Sequence, residues 1–213
     1  MSDLELGSLS VEGFCEVLAS DSPTPGGGAV GAIEAAAAAS LIAMVGRLTV
    51  DKAGFEDLAE RMRAMIVTAD AAQADFLHLA DRDAHAFDSV MEAFRMPKET
   101  DEDKAARSAA IQAGYLAAAS VPQEVARKAV DLMELAEDAT AMGNPQAASD
   151  GLSAAASLYA GALCAIANVE INASSLKDVD TRATMLAELA SLKARADQSL
   201  RESQTAFQLR LAP

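Results

Sequence analysis

Apolar positions recur at three- and four-residue intervals along almost the whole chain, and alternating runs of Val, Ile, Thr and aromatic residues are absent. That pattern predicts helices and no strands. A short first helix is expected over about Ser10 to Ala19, ended by the turn Asp21-Ser-Pro-Thr-Pro-Gly-Gly-Gly28. A nearly uncharged, Ala-rich helix follows to about Arg47, then a long helix from about Phe55 to Arg95. After the break Met96-Pro97-Lys98, another helix is expected from about Asp101 to Ser120. Pro122 should open a separate segment that closes at Gly143, because proline suits a first helical turn and glycine a C-terminal cap. Asn144-Pro145 reads as an N-cap with proline behind it, opening a helix to about Asn172, and a charged final helix covers about Asp180 to Leu209. No internal repeat, linker or composition shift marks a boundary. The expectation is an all-α, single-domain bundle of long helices over residues 1–213.

Two of these segments, Ala29–Gly46 and Gly151–Val169, approach the length of a bilayer span. Both are rich in Ala, Ser and Gly, and Glu34 lies near the middle of the first. A charge there is costly in hydrocarbon, whereas a helix apolar all round suits the centre of a bundle or a dimer interface. No membrane role is expected. Aromatic residues make up only 4% of the 213 residues, with no Trp, so the core must be built from Ala, Leu, Val, Ile and Met at close range. The formal charge of −15 argues against a nucleic-acid partner, because such a surface repels phosphate backbones. Cys15 and Cys164 make neither a disulfide framework nor a metal-ligand spacing. The start Met-Ser-Asp-Leu-Glu-Leu lacks the basic and apolar regions of a signal peptide, so a cytoplasmic location is expected.

Common catalytic patterns are missing. His78 and His85 are too few for a histidine-rich metal site, and no Glu-x-x-His pair of the di-iron bundles occurs. At 100° per residue, Phe76, Leu79, Phe87, Val90 and Phe94 form one apolar stripe, and His85 falls on the far side, facing solvent. Asp83 lies four residues after Leu79 and four before Phe87, inside that stripe, whereas Asp81 points away and serves solubility. A carboxylate on a packed face is expensive unless paired or hydrogen-bonded. Asp83 is therefore either a buried acid bonded to a neighbouring helix, or a general base or anion beside a cationic substrate.

Three further features carry alternatives. On the helix to Asn172, Leu152, Tyr159, Leu163 and Ile166 define one face, and Asp150, Ser157, Gly161, Asn168 and Asn172 the opposite one. That small, polar, nearly uncharged face could line a ligand groove or make a close helix contact. Pro23-Thr-Pro-Gly-Gly-Gly28 could bring backbone amides to a ligand or simply start a helix; it matches neither the phosphate-loop nor the dinucleotide pattern. Lys98, Lys104 and Arg107 follow the Pro97 break among Glu99, Asp101, Glu102 and Asp103. They form either a mixed-charge surface or a site that captures the carboxylates of an acidic, flexible substrate tail. Glu34 could be a dipole partner, a packed acid or a site carboxylate.

Taken in order, these features resemble one family. The matching residues are Pro23-Thr-Pro-Gly-Gly-Gly28 with its Ala-rich helix, Met44, Leu48-Thr49, Asp83-Ala-His-Ala-Phe87, Pro97-Lys98 and Arg107. They continue through Val121-Pro122, Gly143-Asn144, Ser149-Asp150 and Asn168-Val-Glu-Ile-Asn172. Over about residues 10 to 180 the chain resembles the cyclodeaminase/cyclohydrolase family: the cyclodeaminase half of formiminotransferase-cyclodeaminase and the free-standing methenyltetrahydrofolate cyclohydrolases. Glu34 stands where a small or neutral residue is expected, and Asp51, Ala53 and Gly54 where the family often carries Gly and Lys, with only Lys52 kept.

The resemblance implies an all-helical homodimer acting on a tetrahydrofolate one-carbon substrate, with no permanently bound cofactor and no metal. Asp83 matches the family's catalytic aspartate. Pro25, Gly26, Gly27, Gly28, Lys98, Arg107, Asn144, Asp150, Asn168 and Asn172 would then shape the substrate groove. Three activities follow as expectations: hydrolysis of 5,10-methenyltetrahydrofolate to 10-formyltetrahydrofolate; cyclodeamination of 5-formiminotetrahydrofolate with release of ammonia, alongside a separate formiminotransferase; or folate binding by a helical dimer without turnover.

Overall fold

A computed structural model describes residues 5–211, and among them the chain forms helices and no strands. Ser10 caps α1 (Val11–Leu18), its hydroxyl accepting from the Gly13 N–H at 3.0 Å. The proline- and glycine-rich turn then leads into α2 (Gly27–Val50), followed by α3 (Ala59–Ala86), α4 (Asp88–Arg95), α5 (Asp101–Met142), α6 (Ala148–Ala173) and α7 (Val179–Leu211). Thr100 and Asp103 form a reciprocal capping box at the start of α5.

The Ala-rich α2 is the central element, packed against α3 on one side and α6 on the other, with α5 and α7 completing the bundle. Its Ala32, Ala35, Ala38, Ala39, Ile42 and Val45 are fully buried. By length and composition α2 and the segment Pro145–Ala173 could each cross a membrane, but 61% and 44% of their apolar windows are buried inside the bundle. Small residues set how closely these helices approach. A Cβ built on Gly31 would come 2.7 Å from the Gly161 carbonyl oxygen, and one on Gly161 would come 2.6 Å from that of Gly31. Backbone meets backbone there, so neither position has room for a side chain.

Three expectations are corrected. The helix expected from Phe55 to Arg95 is divided: it starts at Ala59 and turns at Phe87, whose carbonyl accepts from both Val90 and Met91. The turn seats Val90 against Gly114 of α5 and keeps it fully buried, while Phe94 is left 43% exposed. Conversely, the two segments expected on either side of Pro122 are one helix. Proline removes the N–H that would reach Ala118, and the Asn172 side chain of α6 donates to that carbonyl instead, at 3.3 Å.

Nor does Asp81 face solvent. Its Oδ1 accepts from the Leu6 N–H at 2.7 Å and so ties the segment before α1 to α3. On α6, Gly161 of the small face makes a close helix contact, against Gly31, whereas on the larger face Ile166 is buried and Leu152, Tyr159 and Leu163 are half-buried. Close approach to α2 and α5 favours small side chains over large ones at that seam. Gly143 ends α5 as expected, but with an ordinary φ of −66°. Glycine is needed there because a Cβ would lie 2.4 Å from the Ala139 carbonyl oxygen and 2.6 Å from Val45.

Candidate functional site

The last turns of α3, the first turn of α2 and the final turns of α6 converge on one cavity of about 380 Å³. Pro23, Gly26, Asp83, Phe87, Tyr115 and Asn172 line it, with Asn168 and the residues just after α6. Phe76 and Leu79 on the same face of α3 are buried in the core, which fixes the helix and directs Asp83 at the start of α2. The Asp83 carboxylate lies against the backbone of Gly28: a Cβ on that glycine would be 2.4 Å from either carboxylate oxygen. Likewise, a Cβ on Gly27 would be 3.0 Å from Asn168 Nδ2. The glycines thus admit two polar side chains of the cavity to the helix start.

Burial pushes the Asp83 carboxyl up to about 6, only partly offset by the Ala29 backbone N–H, which favours the charged form. Among the described residues no Lys, Arg or His lies within ion-pair distance of it. His85, exposed as expected, sits beside Asp88 at 3.5 Å rather than in the cavity. A largely desolvated acid with no cationic partner is suited to hold a cationic ligand or to accept a proton near neutrality.

The two asparagines are held by their amide nitrogens. Asn168 Nδ2 donates to the Cys164 carbonyl at 2.8 Å, and Asn172 Nδ2 to the Asn168 and Ala118 carbonyls at 2.9 and 3.3 Å. Both asparagines line the cavity, where an amide side chain can offer an acceptor oxygen as well as N–H donors. Phe87 and Tyr115 supply an aromatic wall, and Phe94 meets Tyr115 edge to face with centroids 6.5 Å apart.

The expected site residues divide into three groups. Asp83, Gly26, Asn168 and Asn172 line the cavity; Gly27 and Gly28 make room for it, and Pro25 is buried in the turn behind. Lys98 and Arg107 line a second cavity. Asn144 and Asp150 are not brought to Asp83. Asn144 accepts from Gln146 and is tied to Thr49 and Leu48, while Asp150 stands in the first turn of α6. Asn168 is eighteen residues further along that helix, about 27 Å at the helical rise. Glu34 also lies outside the cavity. Its Oε2 is buried with no hydrogen-bond partner, and burial raises its carboxyl above the usual range.

Sequence reasoning missed Tyr115, Ser174 and Ser175 as lining residues. The available signal for Tyr115 was a lone aromatic residue in an Ala-rich stretch of α5. The serines follow the end of α6 and are recruited only by the tertiary fold.

The formiminotransferase-cyclodeaminase family profile matches residues 10–191. A methenyltetrahydrofolate cyclohydrolase from Methylorubrum extorquens is 37% identical over 190 residues, which cover 89% of this chain and 91% of that one. A formimidoyltransferase-cyclodeaminase from Sus scrofa is 36% identical over 179 residues, 84% of this chain but 33% of the pig protein. The chain thus spans about a third of that relative's length, and the expectation of a separate formiminotransferase gains no support from it. A solved formiminotetrahydrofolate cyclodeaminase from Thermotoga maritima superposes with a TM-score of 0.87 at 32% identity, covering 98% of this chain and all of that one.

Proposed function

Since the chain belongs to the formiminotransferase-cyclodeaminase family, we propose that it is a folate one-carbon enzyme that hydrolyses 5,10-methenyltetrahydrofolate to 10-formyltetrahydrofolate, with Asp83 as general base. The observation that carries this reading is the Asp83 carboxylate: largely desolvated, without a cationic partner among the described residues, and seated against Gly28 in a cavity with one aromatic wall.

The substrate's methenyl bridge is an amidinium cation shared between N5 and N10. A carboxylate facing it lowers the energy of that cation and orients a water molecule. The water oxygen bonds to the bridging carbon as Asp83 takes its proton. The tetrahedral adduct then collapses. The bond from that carbon to N5 breaks, the proton held by Asp83 returns to N5, the adduct's hydroxyl releases its proton to solvent as the C=O forms, and the formyl group stays on N10. Asn168 and Asn172 offer acceptors to N–H groups of the ring system, and Phe87 and Tyr115 offer it apolar faces. No resident cofactor enters the proposal; the tetrahydrofolate derivative is the substrate.

A second reading draws on the full-length match to the Thermotoga maritima cyclodeaminase. There N10 attacks the carbon of the protonated formimino group carried on N5, Asp83 passes the N10 proton to the amino nitrogen of the adduct, and that nitrogen leaves as ammonia. Both readings include a cytoplasmic homodimer. Half-buried and exposed residues of α2 and α6 (Val30, Ala37, Leu41, Ala156, Ala160 and Leu163) face outward and would form its contact.

The deciding experiment follows the methenyl absorbance band after protein is added to 5,10-methenyltetrahydrofolate, with ammonia release from 5-formiminotetrahydrofolate measured in parallel. Faster loss of the band with wild type and not with Asp83→Asn supports hydrolysis. Ammonia release without hydrolysis supports the second reading, and neither activity refutes both.

A further inference from the structure

Pro122 is buried inside α5, one helical turn after Ala118. Ala118 belongs to the lining of the Asp83 cavity and Pro122 does not. Proline has no N–H to give the Ala118 carbonyl, and in a regular helix its ring would clash with that oxygen. The carbonyl is taken instead by Asn172 of α6, which also lines the cavity. Asn172 Nδ2 donates to it at 3.3 Å and to the Asn168 carbonyl at 2.9 Å.

A side-chain amide has two N–H bonds, and those two carbonyls use both. They also fix which way the amide is turned. A carbonyl only accepts, so a flipped side chain would set Oδ1 against two other oxygens. Asn172 therefore keeps one polar atom for a ligand, Oδ1, which receives no hydrogen bond among the described residues. Asn168 differs. Its Nδ2 makes a single bond, to the Cys164 carbonyl at 2.8 Å, so one N–H and the oxygen both remain. A ligand group facing Asn168 can be a donor or an acceptor, whereas one facing Asn172 can only be a donor. If residue 122 carried an N–H, Ala118 would be satisfied within α5, and Asn172 would regain an N–H to offer and the freedom to turn.

We infer that Pro122 is a positioning residue for ligand recognition: by leaving the Ala118 carbonyl to Asn172 it makes that asparagine an acceptor only, so the ligand must bring an N–H or O–H group to this end of the cavity. The inference rests on the folate reading for the choice of ligand, whose ring system carries such N–H groups. Its independent content is the relay from a proline outside the cavity, through one freed carbonyl, to the polarity of a lining side chain.

The test combines ligand binding with a direct view of the amide. By calorimetry, Pro122→Ala should bind tetrahydrofolate about three- to tenfold more weakly than wild type, the weight of one hydrogen bond. With 5,10-methenyltetrahydrofolate the loss should fall on KM, with kcat within about twofold of wild type, because Asp83 keeps its place. Asn172→Ala should lose at least as much affinity, and adding Pro122→Ala to it should cost nothing further. Asn172→Asp should bind no better than Asn172→Ala, since a carboxylate has no N–H for the two carbonyls. Independently of any ligand, heteronuclear NMR follows the Asn172 side-chain amide protons, identified by their loss in Asn172→Ala. They should exchange slowly with solvent in wild type and about fivefold faster in Pro122→Ala. Wild-type affinity in Pro122→Ala, an undiminished effect of Pro122→Ala in the Asn172→Ala background, or unchanged amide exchange would each overturn the inference. If wild type binds no folate while the amide signals change as stated, the folate reading falls and the hold of Pro122 on Asn172 stands.

Discussion

The carboxylate of Asp83 occupies the space that a side chain on Gly28 would need, with both oxygens 2.4 Å from where that Cβ would stand. Residues 55 positions apart in the chain thus share one small volume, where the end of α3 meets the start of α2. The glycine-rich turn makes room for the Asp83 side chain rather than cradling a phosphate. The match also gives a place to the partly buried carboxylate on an otherwise packed face of α3.

Asp83→Asn should lower kcat by about 10²- to 10⁴-fold, the range usual for a general base, with circular dichroism unchanged. A general base acts in its ionised form, and burial raises the Asp83 carboxyl to about 6. kcat/KM should therefore be flat above that pH and fall tenfold per unit below it, as a pH profile would show. A profile that rises toward acid would sink the assignment.

Stability should respond in the opposite sense to activity. The Asp83 carboxyl is raised from 3.8 unfolded to about 6 folded, so the native state holds the proton more tightly. Protonated Asp83 is tolerated below pH 3.8, and its ionisation costs stability as the pH rises through 6. Asp83→Asn should accordingly raise the unfolding free energy by roughly 2–3 kcal/mol at pH 8, measured by urea titration, and give no gain at pH 3.5.

Gly28→Ala and Gly27→Ala form a graded pair. The first places a methyl group 2.4 Å from the Asp83 carboxylate, so that side chain must swing away; the second meets Asn168 Nδ2 at 3.0 Å. Steady-state kinetics should show Gly28→Ala losing most of the activity lost in Asp83→Asn, and Gly27→Ala losing about tenfold or less.

Pro122 and Asn172 should be thermodynamically coupled. Asn172→Ala leaves the Ala118 carbonyl without its donor and should cost about 1–2 kcal/mol. Pro122→Ala restores a backbone N–H to that carbonyl, so Asn172→Ala made in that background should cost about 0.5–1 kcal/mol less. A double-mutant cycle by chemical denaturation reads the difference, and strict additivity would refute the account.

Gly161→Ala tests the α2–α6 seam. Its methyl would press 2.6 Å from the Gly31 carbonyl oxygen, which is backbone and cannot rotate aside. Separation of two central helices should lower stability by about 2–3 kcal/mol in thermal denaturation.

The sequence by itself determined which stretches of the chain are helical rather than strand, because apolar spacing, caps and the absence of strand-forming runs are local properties. It also singled out Asp83, since an acid inside an apolar stripe is visible from helical periodicity alone, and the ordered motifs carried the family. Only the tertiary structure decided what Asp83 meets. The cavity joins the turn at Gly26, the end of α3, Tyr115 of α5 and the last turns of α6, which no spacing rule connects. It likewise separated Asn144 and Asp150 from Asn168 and Asn172, although all four lie on or beside one helix, because a straight helix holds its two ends apart. Pro122 shows the same division of labour. Locally it ends a helix, but the chain continues through it, since the missing hydrogen bond is supplied by Asn172 from a helix packed alongside, a donor that sequence spacing does not reveal.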